Sequence, residues 1–449
     1  MTILYWRVIG LVLLFCLLGG CASATPAAIT SVSALAAEPA HLTHGPVIGA
    51  VTPNAARVFV RTDRAAQVQI MYWTDPKLEF ALLSAPQTTT PEADWTAQIP
   101  LTDLKSSTVY YLNVLVDNVP QSAQPLAQFK TFPPEGSSQE FTFVHLTDSS
   151  LIPNLEAKSF ANADAAHPDF VILGGDFPHG NPQTLEDKRA IYRKLYDPAT
   201  SPSISDFVNL ILRHYPIAHI WDDHDYGMNN GDKTYPLKPM SFQVLKEYYP
   251  LYPVTEYGDW QKFSYAQADF FMLDSRSQRD PNKTPDGPDK SMLDGDNLGA
   301  QGQWIWLTEG LRKSTAAWRF ILTPVIFNTT TKGLDAWRSF GYEREKLIRF
   351  IKDNHIRGVI LISGDLHAGG IDNGTHSTFP EMVNNGANGP GCLSTSGTVG
   401  KWSEGSYGDN SGVPCNGYGV ITVLTNPDRV LLQVKDSFGR TRVQYTVQQ

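Results

Sequence analysis

Four segments of this chain put acidic and imidazole side chains directly behind short apolar runs. They are HLTDSS with Asp148, GGDFPHG with Asp176 and His179, WDDHDYGMNN with Asp222, Asp223, His224 and Asp225, and SGDLHAGG with Asp365 and His367. The runs themselves (FTFVHLT from Phe141, residues 169–173, IAHIW and GVILIS) have the length and apolar content of buried strands, and FFML and RFILT add two more. LEDKRAIYRKLY, GQWIWLTEGLRKS and YEREKLIRFIKDN are amphipathic and predict helices, with a further helix expected over 155–166. Strands alternating with helices fold as α/β, and such folds gather the loops at the carboxyl ends of their strands. One Gly-Asp after a strand is an ordinary turn whose carboxylate caps backbone amides. Four acidic loops in one fold are another matter: oxygen and nitrogen donors on rigid elements are what a pair of cations requires.

No competing constellation is present, since the chain has no HExxH, CxxC, GxxxxGK or GxSxG. Its 449 residues, 42% hydrophobic and 18% charged, suffice for two ordinary domains with real cores. The formal net charge is −9 with no Lys/Arg run, which argues against a nucleic-acid partner. An acidic protein that acts on an anion needs local cations to overcome the repulsion.

The start of the chain reads as an address. Arg7 precedes an apolar stretch over 8–18, too short to span a bilayer, and then come Gly19, Gly20 and Cys21. Residues 1–20 are therefore expected to be a signal peptide. Leu18-Gly19-Gly20-Cys21 resembles the bacterial lipobox, which makes Cys21 the lipidated residue and gives the protein a membrane partner through an N-terminal lipid anchor. The expected location is the bacterial cell envelope, at the outer membrane or facing the periplasm where the cell has one. Residues 21–40, rich in alanine and nearly uncharged, read as a lipoprotein tether. In that oxidising setting Cys392 and Cys415 are expected to form a disulfide. Next come alternating runs at 56–61, 67–72, 95–99 and 109–116, spaced as in a β-sandwich. Tyr110, six residues after Leu104, looks like the tyrosine corner of immunoglobulin and fibronectin III-like domains, so 41–134 is expected to be an all-β sandwich domain of that kind.

The segment 139–449 resembles the PhoD-type alkaline phosphatases, a branch of the calcineurin-like metallophosphoesterases. The resemblance rests on Gly175-Asp176, Trp221-Asp222-Asp223-His224 and Ser363-Gly364-Asp365-Leu366-His367, with Leu273-Asp274-Ser275-Arg276 and Gln303-Trp304-Ile305-Trp306-Leu307 as connecting blocks. It implies an α/β metallophosphoesterase domain, a β-sheet sandwich flanked by helices, and hydrolysis of phosphate esters by a water activated between two metal ions. Carried over residue by residue, Asp176 bridges, Asp148 and His367 hold the first metal with His179 beside them, Asp223 and Asp365 hold the second, and His224 is the catalytic acid. Arg276 would bind the substrate phosphate, or else pair with a neighbouring acid. Two departures bear on the metals: Asp148 stands where the family usually has Cys, and His179 where it has Tyr. The family's Fe and Ca pairing is thereby opened to Zn, Mn or Fe(II). The DxH motif of the superfamily is incomplete, with Ser150 at its His position. Two other functions share these residues: a phosphodiesterase or phospholipase-like activity, and a non-enzymatic phosphate-binding surface lipoprotein.

Overall fold

A computed structural model describes residues 38–75, 80–121, 126–152, 157–389, 400–408 and 416–449. The expected signal peptide, Cys21, nearly all of the tether, Cys392 and Cys415 lie outside the described residues.

Two sheets packed face to face carry the acidic loops. In the first, Phe141–Leu146, Phe170–Leu173 and Ile217–His219 run parallel, and the hairpin strands Gly417–Leu424, Arg429–Asp436 and Thr441–Gln448 extend the sheet beyond Phe141–Leu146. In the second, Ala268–Met272, Trp318–Thr323, Val359–Ser363 and Glu381–Val383 run parallel, with Gln261–Tyr265 antiparallel at one edge. Successive side chains on a strand face opposite sides, and both sheets use this alternation fully. Phe143, Phe170, Ile172, Phe270, Phe320, Leu322, Ile360 and Ile362 point inward into one core. The rings of Phe170, Phe270 and Phe320 surround Phe143, each with its centroid 5.2 Å away. Val144, Leu146, Val171 and Leu173 point outward and are covered by helices Leu185–Leu195 and Lys238–Tyr248 through Tyr192, Leu195, Val244 and Leu245. On the other side Phe271, Ile321 and Leu361 are covered by helices Gln303–Lys313 and Gly341–Asp353 through Leu307, Leu311, Leu347 and Ile351. The order helix, sheet, sheet, helix agrees with the expected flanked sandwich.

The N-terminal segment corrects one expectation. Tyr110 does close a corner, its hydroxyl accepting the Lys105 N–H at 2.9 Å. However, Leu42–Gly49, Ala56–Thr62 and Thr96–Leu101 are not one half of a separate sandwich over 41–134, because they continue the first sheet. Gly49 pairs in parallel with Ile217, at a spot where a Cβ would meet the Pro250 carbonyl oxygen at 2.5 Å. The facing strands, Gln67–Trp73 and Val109–Val116, share the core that lies between the two sheets. Phe132 reaches across the expected boundary to Phe170 and Tyr265, with ring centroids 5.4 and 4.8 Å away. Residues 40–449 are accordingly one compact unit.

Candidate metal centre

Three of the four acidic loops leave their strands through a backbone turn that few residues tolerate, while Asp222 is extended (φ −121°) and caps the short helix Asp223–Tyr226. Asp148, Asp176, Asp365 and His367 all have positive φ, between 52° and 58°. For a non-glycine residue this left-handed region costs about 1–2 kcal/mol, and it is held where surrounding structure over-determines it. The two glycines before Asp176 have steric reasons. A Cβ on Gly174 would sit 2.0 Å from His145 Nε2, and one on Gly175 (φ +109°) 2.6 Å from the Asp222 Cβ. Asp225 ties two loops together: it accepts the Asp222 N–H, the Phe177 N–H at 3.2 Å and a proton of His219 Nε2 at 3.3 Å. Asp225 therefore orients the residues around it.

Asp176, His179 and Asp223 of the expected ligands fall in close donor groups, joined there by His224 and Asp222, whereas Asp148, Asp365 and His367 fall in neither group. Among the described residues, donor atoms of Asp176, His179 and His224 lie within 4.8 Å of one another, as do those of Asp176, Asp222 and Asp223, so Asp176 is common to both groups. His367 Nε2 is 3.4 Å from Asp148 Oδ1, which joins the two sheets' loops, and its ring centroid is 6.0 Å from that of His179. Asp365 closes the far side, with its carboxylate 3.6 Å from Arg276.

The charge balance is what a cation site requires. Both carboxylate oxygens of Asp148, Oδ2 of Asp176 and Oδ1 of Asp223 are buried without a hydrogen-bond partner. Burial, then Asp223, Asp222 and Asp148, push the Asp176 carboxyl well above the usual carboxylate range. Burial likewise raises Asp365, and lifts Asp222 to about 7 against the opposing pull of Arg276. Burial and neighbouring His224 lower the His179 imidazole to about 4, which keeps it neutral with a lone pair to donate. Buried carboxylate oxygens without hydrogen bonds beside a neutral imidazole fit bound cations, which would satisfy the oxygens and relieve the mutual repulsion.

His224 stacks on His179 with ring centroids 3.6 Å apart, and its backbone N–H donates to Asp176 Oδ1 at 3.1 Å. Its Nδ1 is 3.0 Å from the Gly180 carbonyl oxygen and 3.1 Å from Asn181 Oδ1, both acceptors. That pairing assigns the proton to Nδ1 and leaves Nε2 for chemistry.

The substrate contact expected of Arg276 is corrected by its surroundings. Its side chain is fully buried, with Nε donating to Asp222 and the two terminal nitrogens donating to Asp335 at 3.1 and 3.0 Å. A guanidinium so paired is a structural cation that offsets the acidic wall. Three participants are missing from the sequence reading. Asp335 accepts from Arg276 and from Arg279 at 2.6 Å, and the Lys332 ammonium lies against the Asp365 carboxylate. The loop after Glu381–Val383 is the third. Asn388 brackets Ser150, accepting its N–H at 2.8 Å and donating to its C=O at 3.0 Å, while a Cβ on Gly386 would sit 2.9 Å from the Asp148 Cβ. Its run of Asn and Gly directly after an apolar strand is a signal of the same kind as the four acidic loops.

His145, beneath Asp148, is a core histidine whose Nδ1 bonds Asn384, and burial lowers it to about 4. The unfolded chain would bind this proton near 6.5, so the stabilisation is present above that pH and lost as pH falls through the interval. Going from pH 7 to 5 should cost about 2 kcal/mol from His145 alone. Urea midpoints at the two pH values check this, and His145→Gln should flatten that part of the slope.

The PhoD-like phosphatase family model matches residues 152–381, and a domain of unknown function, DUF7800, matches residues 39–136. Alkaline phosphatase D of Bacillus subtilis (strain 168) is 28% identical over 196 residues, 37% of this chain, and the match spans a third of that relative's length. The solved structure of PhoD shares the fold with a TM-score of 0.73 at 18% identity, covering 90% of each chain. So does the purple acid phosphatase PPD1 from yellow lupin (Lupinus luteus) seeds, with a TM-score of 0.60 at 12% identity, over 90% of this chain and 74% of that one. The first of these matches spans just over half of the residues, including the turns of Asp176, Asp223 and Asp365, and on that basis the chain belongs to the PhoD-like phosphatase family.

Proposed function

We propose that this protein hydrolyses phosphate esters at the acidic centre with two metal ions, and that His224 protonates the departing oxygen. The observation that carries the reading is Asp176, shared by two donor groups in which Asp176 Oδ2, Asp222 Oδ2 and Asp223 Oδ1 are buried without a hydrogen-bond partner. Asp148, His367 and His179 would hold one ion, Asp223 and Asp365 the other, with Asp176 between them. When bound, the ions supply positive charge for the phosphoryl oxygens and acidify a water. The chain's own part is to fix that geometry. Arg276 holds Asp222 and Asp335, the Asn230 N–H orients Asp223 at 2.6 Å, and the Asp176 carboxylate accepts the His224 N–H and so sets the imidazole beside the reaction. His224 Nε2, protonated, then gives its proton to the leaving alkoxide.

The donor set of carboxylates and imidazoles suits Zn, Mn or Fe(II) as well as the Fe and Ca pairing of the wider family. Chelation should abolish hydrolysis of p-nitrophenyl phosphate, and adding back one of these ions should restore it. Full activity in protein shown by elemental analysis to be metal-free would overturn the reading. Comparison with bis-p-nitrophenyl phosphate sets monoester against diester preference.

We further propose a bacterial cell-envelope location through lipid on Cys21. Cys21→Ser is expected to move the protein from the membrane to the soluble fraction. Unchanged membrane fractionation would sink the idea.

A further inference from the structure

Beside the centre lies a cavity of about 520 Å³, within the usual range for small-molecule sites. Its lining includes Asn230, Asn282, Lys283, Lys332, Leu334 and Asp335. Three of these tie it to the acidic loops: the Asn230 N–H is on Asp223, Asp335 is on Arg276, and Lys332 lies against Asp365 and donates to the Asp365 carbonyl oxygen at 2.8 Å. The cavity is thus separated from Asp223 and Asp365 by only the residues Asn230 and Lys332 that touch them.

The charges in the cavity differ in what they have left to offer. Lys332 is engaged by Asp365, with Asp335 a further 3.9 Å away. Asp335 already accepts from Arg276, Arg279 and Asn282. Asp232, the other acid on the lining, accepts the Thr234 N–H and hydroxyl at 2.9 and 2.7 Å. Lys283 is exposed and has no ion-pair partner among the described residues. Leu334, 62% exposed, offers apolar surface beside it.

We propose, resting on the phosphatase reading, that this cavity receives the alcohol part of the ester and that Lys283 selects esters whose alcohol carries a second anionic group. The phosphoryl group would sit over Asp176 and Asp223, and the cavity would take a short carbon chain past Lys332 and Leu334. At its far end a carboxylate or second phosphate would meet the unpaired ammonium. An exposed cation acts weakly and through solvent, so the effect should be moderate and sensitive to salt.

The test compares 3-phosphoglycerate with glycerol 3-phosphate, which have the same length and differ by a carboxylate at the end remote from the phosphate. The metal-loaded wild type should show the higher kcat/KM on 3-phosphoglycerate. Lys283→Gln should reduce that preference about fivefold, mostly through KM, and Lys283→Glu should reduce it further. Raising the ionic strength should erode the preference in the wild type. Lys313→Gln, on an exposed helix face elsewhere, controls for loss of a lysine. If Lys283→Glu keeps the wild-type ratio, or the wild type hydrolyses p-nitrophenyl phosphate without preferring 3-phosphoglycerate, the cavity proposal is overturned and the phosphatase reading stands. If the metal-loaded wild type hydrolyses none of the three esters, the phosphatase reading fails and this proposal fails with it.

Discussion

Asp176→Asn is expected to strip metal from the protein while making its metal-free form more stable. The two effects have one cause. Asp176 is buried, its Oδ2 has no hydrogen-bond partner, and burial together with Asp223, Asp222 and Asp148 raises its carboxyl well above the ordinary range. A carboxyl whose folded pKa exceeds its unfolded one contributes stability at pH below the unfolded value, and that contribution is lost as pH rises through the interval. Without cations, ionising Asp176 therefore opposes folding as pH rises, and the neutral amide removes this penalty. The amide oxygen can still accept the His224 N–H, which Asp176 Oδ1 accepts at 3.1 Å. With cations the sign reverses, because the same charge is shared by both donor groups. Even partners of metal ligands are worth about 10–100-fold in affinity, so loss of the shared ligand should cost about 100-fold or more in metal affinity, with a matching loss of turnover. Elemental analysis and melting of chelated protein check the two halves. A variant that keeps its metal and melts lower after chelation would make Asp176 a structural hydrogen-bond acceptor, and the two-ion reading would fall.

Much of this centre is legible in the sequence because its information is local. An apolar run fixes a strand, and the residue after it must leave the sheet, so Asp148, Asp176, Asp223 and Asp365 announce themselves by position. Period does the same for the helices: the pattern over 185–196 becomes Leu185–Leu195, and that over 342–354 becomes Gly341–Asp353. What is not legible is pairing at a distance. Arg276 reads as a substrate contact or as the partner of a neighbouring acid, and nothing local names Asp335, 59 positions on, as the acid that occupies its guanidinium. Lys332 has no signature at all, since a lysine in a polar loop is ordinary. The N-terminal strands look like a closed sandwich because alternation reports a buried face and says nothing of which sheet lies beside an edge; the parallel pair Gly49 and Ile217 decides that. Helix Lys238–Tyr248 escapes the period rule for another reason. It buries Ser241 and Glu247 as well as Phe242, Val244, Leu245 and Tyr248, so its buried face is not its apolar face. The alternation of Arg429–Asp436 is as regular as any in the chain, but it follows a Gly- and Ser-rich stretch that obscures where the last sheet strands begin.

His224→Ala should leave both ions bound and slow turnover by about 10²–10⁴-fold, the usual worth of a positioned proton donor. The geometry makes the substrate dependence the sharper readout. With Nδ1 donating to the Gly180 carbonyl oxygen, only Nε2 is free to face the reaction, and as a donor its value depends on how much the departing oxygen needs a proton. p-Nitrophenolate needs little, and an alkoxide needs a great deal. The loss should therefore be large for glycerol 3-phosphate and much smaller for p-nitrophenyl phosphate. Two neighbouring roles give different patterns. Because its ring nitrogens lie within 4.8 Å of donor atoms of Asp176 and His179, His224 acting as a ligand would lose one ion on substitution. Acting as a clamp on the phosphoryl group, it would cost both substrates equally with both ions still in place. His224→Ala also removes the ring stacked on His179, so metal content must be measured alongside rate. Unequal losses at full metal occupancy are the signature of the general acid, and no loss at all would remove His224 from the mechanism.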